Sequence, residues 1–276
     1  MTLIVGVKCK DGIVVGSDGA ATYQAMGHNT ILQPTKKLTI ISGRVIVGVS
    51  GAIGLGQRII GAIDNLWTQT DPNDRHTFST QSGSAPRKPH EAMVKVREKL
   101  APHLLPELQI AAQAAQAVGQ QAALQSAVAH TMLAVLVQGN PCLFQFDQQG
   151  APEEATEQLP FISIGAGQAI ADPFLAFIRR IFWQPSIPNL GDGIFAVLWT
   201  LEHAIKTHPG GVADPIQMAI LTPKGARELT NAELAEHQQS VQAAEDALRN
   251  YKTSLVSGPH TATEPLPSPP TPPGKS

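Results

Sequence analysis

The chain has 276 residues, enough for one large domain or two small ones with a substantial core. Its 20 basic side chains against 22 acidic ones leave no surplus to neutralise phosphates, and they are scattered rather than striped, which argues against nucleic acid as a partner. The two cysteines, Cys9 and Cys142, show no Cys-x-x-Cys or Cys/His ligand spacing, so a reduced, cytoplasmic setting fits, with one incidental disulfide as the alternative.

At the N-terminus, Lys8, Lys10 and Asp11 interrupt the apolar run almost at once, unlike a signal peptide. No stretch approaches the roughly 20 apolar residues of a membrane span, so a soluble protein is expected. Residues 3–9 and 13–18 are rich in β-branched side chains around Lys10-Asp11-Gly12, a hairpin signal. Residues 37–41 and 44–50, around Ser42-Gly43, predict a second hairpin, giving four leading strands. From Leu55 to Trp67, the residues Leu55, Ile59, Ile60, Ile63 and Leu66 recur at helical spacing. Residues 69–88 are polar and without period, a loop or insertion, and 90–127 predicts a helical stretch that Pro102 and Pro106 kink or restart.

Strands are expected again at 131–137, 142–146 and 161–164, helices at 170–182 and 194–205, a strand at 216–221 and a helix at 232–251. This order predicts an α+β fold, a four-layer αββα sandwich of two antiparallel sheets flanked by helices. The folded domain is expected over residues 2–256, with 257–276 a disordered Pro-rich tail whose composition cannot supply a packed core.

Four features stand in order over about fifty residues. They are Thr2 before the first strand, Asp18 in Asp18-Gly19-Ala20-Ala21-Thr22, Lys37 in Lys36-Lys37-Leu38, and Gly48 in Val45-Ile46-Val47-Gly48-Val49-Ser50-Gly51. Together they resemble the proteasome β-subunit family of N-terminal-nucleophile threonine peptidases, including the peptidase subunit of the bacterial two-component ATP-dependent protease. The resemblance implies that Met1 is removed and that Thr2 becomes the nucleophile. The freed α-amine, with an ordinary pKa near 8, would accept the hydroxyl proton that a lysine near 10.4 mostly cannot. It further implies that Lys37 lowers the pKa of the nucleophile, that Asp18 holds Lys37, and that the Gly48 amide stabilises the oxyanion. Thr22 and Ser50 would bind an extended peptide as an added strand.

The implied assembly is a homo-oligomer of stacked rings of six or seven subunits enclosing unfolded polypeptide. An ATPase is a possible partner, and apolar helix faces such as that of 194–205 would lie between subunits. No cofactor is implied. The nine histidines form no compact ligand set, so no metal is expected, and Gly51 to Gly56 matches no phosphate-loop pattern. Two departures stand out. Ala166, in Ser163-Ile164-Gly165-Ala166-Gly167, replaces the serine that commonly assists in the family, and Thr207-His208-Pro209-Gly210-Gly211 lacks a clear Asp and Ser pair. A weak or inactive scaffold and an N-terminal-nucleophile amidase for small amides are therefore the alternatives to an endopeptidase.

Overall fold

The structure, a computed structural model, describes residues 2–25, 28–68, 88–118, 128–183, 186–207 and 211–257. The expected insertion, apart from residue 88, and the Pro-rich tail beyond residue 257 lie outside the described residues.

Strands β1 (Leu3–Cys9) and β2 (Gly12–Ser17) form the first hairpin, with Cys9 opposite Gly12 across the two-residue turn Lys10-Asp11. Both strands are buried almost throughout because both faces of their sheet are covered. A second hairpin, β3 (Ala20–Ala25) and β4 (His28–Pro34), stands as a separate two-stranded ribbon. Six strands therefore precede the first helix rather than the four expected, because these two segments lack the apolar alternation that marks a half-buried strand. In the next hairpin, β5 (Leu38–Ile41) and β6 (Val45–Gly51), Ser42 and Gly43 take φ of 50° and 64°, the left-handed pair that a tight hairpin turn requires.

Helices α1 (Ile53–Thr68) and α2 (Pro89–Val118) follow, α2 running unbroken through Pro102 and Pro106 where a kink or restart was expected. Strands β7 (Ala129–Val137), β8 (Asn140–Phe146), β9 (Pro152–Glu154) and β10 (Phe161–Gly165) come next. Helix α3 (Gln168–Ile178) continues into a π-helical turn at Arg179–Trp183, before α4 (Leu190–Thr207). Strands β11 (Gln217–Thr222) and β12 (Gly225–Glu228) and helix α5 (Asn231–Ser257) complete the described chain.

The strands make two antiparallel five-stranded sheets, ordered β10-β1-β2-β11-β12 and β5-β6-β7-β8-β9. Alternation along β1 divides the cores: Leu3, Val5 and Val7 face α3 and α4, whereas Ile4 faces Leu38, Ile46 and Met132 between the sheets. A third core packs Val45, Val47 and Phe144 against Ile59, Ile63 and Leu100 of α1 and α2. The αββα sandwich expected from element order is therefore the fold. Cys9 and Cys142 are both buried and unbonded, and burial pushes the Cys142 thiol up to about 11, which leaves it unreactive.

Close approach of α4 to the sheet depends on Gly16, where a Cβ would lie 2.5 Å from Val197 Cγ1 and 2.8 Å from Leu201 Cδ1. Gly16→Ala should destabilise the protein by about 1–3 kcal/mol through overpacking. Urea unfolding checks this, and an unchanged midpoint would show that α4 yields without cost.

Candidate active site

The candidate site gathers at the end of the sandwich where β1 begins, β2 ends and β5 begins. Thr2 is partly exposed immediately before β1, and the chain around it is pinned by backbone contacts. The Leu3 carbonyl accepts from Asp18 N–H at 3.1 Å, and the Thr2 carbonyl accepts from Gly167 N–H at 3.4 Å. Gly165, with φ of 103°, lies so close that a Cβ there would stand 2.2 Å from the Thr2 carbonyl oxygen, so both its conformation and its contact require glycine.

Asp18 is fully buried at the end of β2, and its carboxylate organises the site. Oδ1 accepts from Leu3 N–H at 2.8 Å and from Lys37 Nζ at 2.6 Å. Oδ2 accepts from Ala20 N–H at 3.3 Å and Ala213 N–H at 3.4 Å. The Lys37 side chain is 6 % exposed. Burial lowers its pKa from the ordinary 10.5, while the charge and hydrogen bond of Asp18 oppose that shift and favour the ammonium. Lys37 is held from behind by Gln217 on β11, whose Oε1 accepts from Lys37 N–H at 3.2 Å and whose Nε2 donates to the Thr35 carbonyl at 2.7 Å.

Thr2 and Lys37 open onto one cavity of about 240 Å³, with Thr35 and Lys36 on the same side. Its other wall is formed by Val49 and Gly51 at the end of β6, by Ala52, and by Ile53, Gly56, Gln57 and Ile60 at the start of α1. A larger cavity of about 530 Å³ lies at the opposite end of the strands, between the Ser42–Arg44 and Thr222–Gly225 turns, and holds none of these groups.

The structure thus brings Thr2, Asp18 and Lys37 together and places Gly48 apart from them. Gly48 lies within β6, paired with Leu38 and Met132, where a Cβ would meet Ile4 at 3.0 Å in the core between the sheets. The β6 glycine that lines the cavity with Thr2 is Gly51, exposed at the strand end with φ of 127°. Ser50 is buried, its Oγ 2.9 Å from where a Gly165 Cβ would stand. Thr22 sits on β3 opposite Leu32. Ala166 is exposed in the turn beside Thr2, and the Ser163 hydroxyl of the same segment donates to Asp172 on α3.

Sequence reasoning did not single out Gly51, which lines the cavity, or Gln217 and Ala213, which hydrogen-bond around Lys37 and Asp18. Gly51 stood three residues from the glycine chosen instead, and a backbone N–H such as that of Ala213 leaves no mark on residue type. Ser17 Oγ, beside Gln217 in the sheet register, is buried without a hydrogen-bond partner among the described residues. Among those residues no group of three or more His, Cys, Asp or Glu could hold a metal, and no helix is long and apolar enough to cross a membrane.

Two antiparallel sheets flanked by helices are the layered arrangement of the proteasome-type fold. Residues 2–66 match the proteasome subunit family. Among solved structures, the chain is similar to Anbu, described as an ancestral beta-subunit, from Yersinia bercovieri. That match has a TM-score of 0.63 at 15 % identity and covers 95 % of this chain and 100 % of the other. It is likewise similar to a Gly-1 mutant of Anbu from Hyphomicrobium sp. strain MC1, with a TM-score of 0.61 at 18 % identity, covering 92 % and 97 %. A second Anbu structure from that strain gives 0.61 at 17 %, covering 91 % and 97 %. No curated protein matches the chain. Over residues 2–66 the chain is thus similar to proteasome subunits, and its fold is that of the Anbu structures.

The buried pair supplies a stability test. Asp18→Ala removes the carboxylate from Lys37 and from three backbone N–H groups and should cost about 3–5 kcal/mol. Lys37→Met should cost less, since Asp18 keeps its backbone donors. A depressed lysine pKa contributes stability above pH 10.5 that is lost as pH falls through the folded value. In Asp18→Asn that value drops further, so the loss should continue to lower pH than in the parent chain. Chemical unfolding between pH 7 and 11 measures all three effects, and identical pH profiles would sink the coupling.

Proposed function

We propose that this protein is a threonine-type endopeptidase that cuts unfolded polypeptide within a homo-oligomeric assembly, with Thr2, freed by removal of Met1, as nucleophile. The observation that carries this reading is the opening of Thr2 onto the same cavity as Lys37, whose ammonium is paired with the buried Asp18. A cation beside the hydroxyl favours its ionisation, and the freed α-amine is the group able to take the proton near neutral pH. Thr2 Oγ1 attacks the peptide carbonyl carbon, and the carbonyl oxygen becomes an oxyanion. Collapse breaks the C–N bond and releases a protonated amine; water then hydrolyses the threonyl ester and restores the hydroxyl. We assign the oxyanion contact to the Gly51 amide, on the cavity wall, rather than to Gly48 within the sheet. Substrate binding at Thr22 and Ser50 is retained through their backbone groups, which an added strand would use.

One observation favours a second reading, a ring-forming scaffold with a weak site. The turn at Gly165–Gly167 offers Ala166 beside Thr2, and Ser163 is committed to Asp172, so that turn supplies no hydroxyl to position the amine.

A peptidyl epoxyketone, which requires both the hydroxyl and the free α-amine of one residue, separates the two readings. Under the peptidase reading, mass spectrometry should find a chain starting at Thr2 and a stable adduct on it, and Thr2→Ala should lose adduct and turnover together. A chain that keeps Met1, or a Thr2→Ala variant that still cleaves peptides, would refute the mechanism.

We place the assembly surface elsewhere than the helix face expected at 194–205. On α4, Val197, Leu198 and Leu201 are buried within the chain itself, whereas Phe177 near the end of α3 and Ile181 and Phe182 in the π-helical turn after it are 40 %, 54 % and 52 % exposed. A cluster of this kind marks a protein contact. Replacing all three by serine should shift the protein toward the single-chain mass in sedimentation at micromolar concentration. A parent chain that already sediments as a monomer would overturn the assembly.

A further inference from the structure

We infer that the open edge of β10 is a second polypeptide-binding site, apart from the Thr2 cavity, which takes an extended segment as an added strand and selects one with adjacent basic side chains. The inference stands whether or not Thr2 is a nucleophile.

The backbone makes the case first. β10 is the edge strand of its sheet and pairs with β1 alone. Lys8 N–H donates to the Pro160 carbonyl at 2.7 Å, and this sets the phase of the ladder. Bonded pairs alternate along an antiparallel ladder, so Ile162 opposite Gly6 and Ile164 opposite Ile4 bond to β1. The N–H and C=O groups of Phe161, Ser163 and Gly165 therefore point out from the sheet, and among the described residues they bond to nothing else. Proteins commonly block such an edge with proline or lysine, and Phe161–Gly165 contains neither.

Space beside that edge fits one more strand. One face of β10 is covered by α3, where Phe161 packs with Ala171 and Leu175, and the other looks across to Leu143 on β8. A cavity of about 380 Å³ runs between the same two layers, with Asp172 and Ala176 of α3 on one wall and Gln145 and Glu153 of the second sheet on the other. A strand laid beside β10 in the plane of its sheet would send successive side chains alternately to these walls.

Each wall carries one carboxylate without a cation. Glu154 is answered by Lys8 at 3.2 Å, whereas Glu153 accepts from the Gln145 amide, and Asp172 accepts from the Ser163 hydroxyl and from Gln168 Nε2 at 3.0 Å. These donors are neutral, and among the described residues neither carboxylate has a basic partner. Two neighbouring basic residues of an added strand would therefore each meet one carboxylate, and acidic residues would be repelled. A second copy pairing edge to edge is disfavoured, because it would gather the carboxylates of both chains along one seam.

Short fluorescein-labelled peptides of Val and Thr around a central Lys-Lys or Glu-Glu pair test this by anisotropy. The full-length Thr2→Ala protein is used so that the probe survives. The Lys-Lys peptide should bind at least about tenfold more tightly than the Glu-Glu peptide, since two attractive contacts become repulsive. N-methylation of alternate residues leaves one bonding edge and should change affinity by less than about threefold, whereas methylation of both edges should cost at least about tenfold. Glu153→Lys should weaken the Lys-Lys peptide by at least about fivefold, and Ala176→Trp, which fills the slot, should do the same. Undetectable binding, equal affinity for both peptides, or full affinity after methylation of both edges would overturn the inference. So would a Glu153→Lys chain that changes its sedimenting mass without changing peptide affinity, which assigns the edge to a second copy.

Discussion

The site depends on one buried carboxylate. Asp18 is out of contact with water, and an ionised group there is tolerable only if its oxygens are hydrogen-bonded and its charge is answered. Its four donors come from different parts of the chain: Leu3 at the start of β1, Ala20 on β3, Lys37 before β5 and Ala213 before β11. Only when both sheets have assembled do these groups converge. The carboxylate therefore ties the position of Thr2, one residue from Leu3, to the joining of the two sheets. Gln217 strengthens the same tie, since its carboxamide spans from β11 to the segment carrying Lys37 where no strand ladder joins them.

Around this anchor the backbone does much of the work usually given to side chains. Gly165 and Gly51 both take positive φ, one pressed against the Thr2 carbonyl and the other on the cavity wall. Close backbone approach at both positions excludes larger residues, because a Cβ at 51 would stand 2.1 Å from the Val128 carbonyl oxygen. The late loop likewise reaches Asp18 through the Ala213 amide, while Gly19 N–H returns a bond to the Ala213 carbonyl at 2.9 Å.

This division between backbone and side chain explains what the sequence made legible. Apolar periodicity and turn residues determine the layers, so β1, β2, β5, β6 and the four-layer order could be read directly. The β3–β4 ribbon could not, because Ala20–Ala25 and His28–Pro34 lack the alternation that burial on one face imposes. Edge strands β9 and β12 are short and polar, with mostly part-exposed residues, and carry no apolar signal either. Within the site, Asp18 and Lys37 stood out only through their ordered match with Thr2 to the resembled family, since each alone reads as a turn residue or a solvated lysine, and the structure pairs them. Gly48 and Gly51 were not separable by residue type. Only strand pairing, which puts one in the core and the other at a strand end, tells them apart.

The same division bears on whether a fold shared at 15–18 % identity carries its chemistry with it. The sandwich needs only the right apolar pattern and a few close-packed glycines, conditions that many sequences meet. Nucleophilic attack needs more: an amine and a hydroxyl held together within hydrogen-bond reach of the reacting carbonyl. In this chain the cation, its buried anion and the glycine turn are assembled around Thr2, while Ala166 brings no hydroxyl to that turn. A missing hydroxyl removes one orienting hydrogen bond and leaves the electrostatics intact. For the proposed mechanism the consequence would be asymmetric: the amine would be correctly placed less of the time, while the field that favours ionisation of the hydroxyl would be unchanged. Under the proposed peptidase reading, activity would depend on how firmly the backbone contacts at Gly165 and Gly167 hold Thr2.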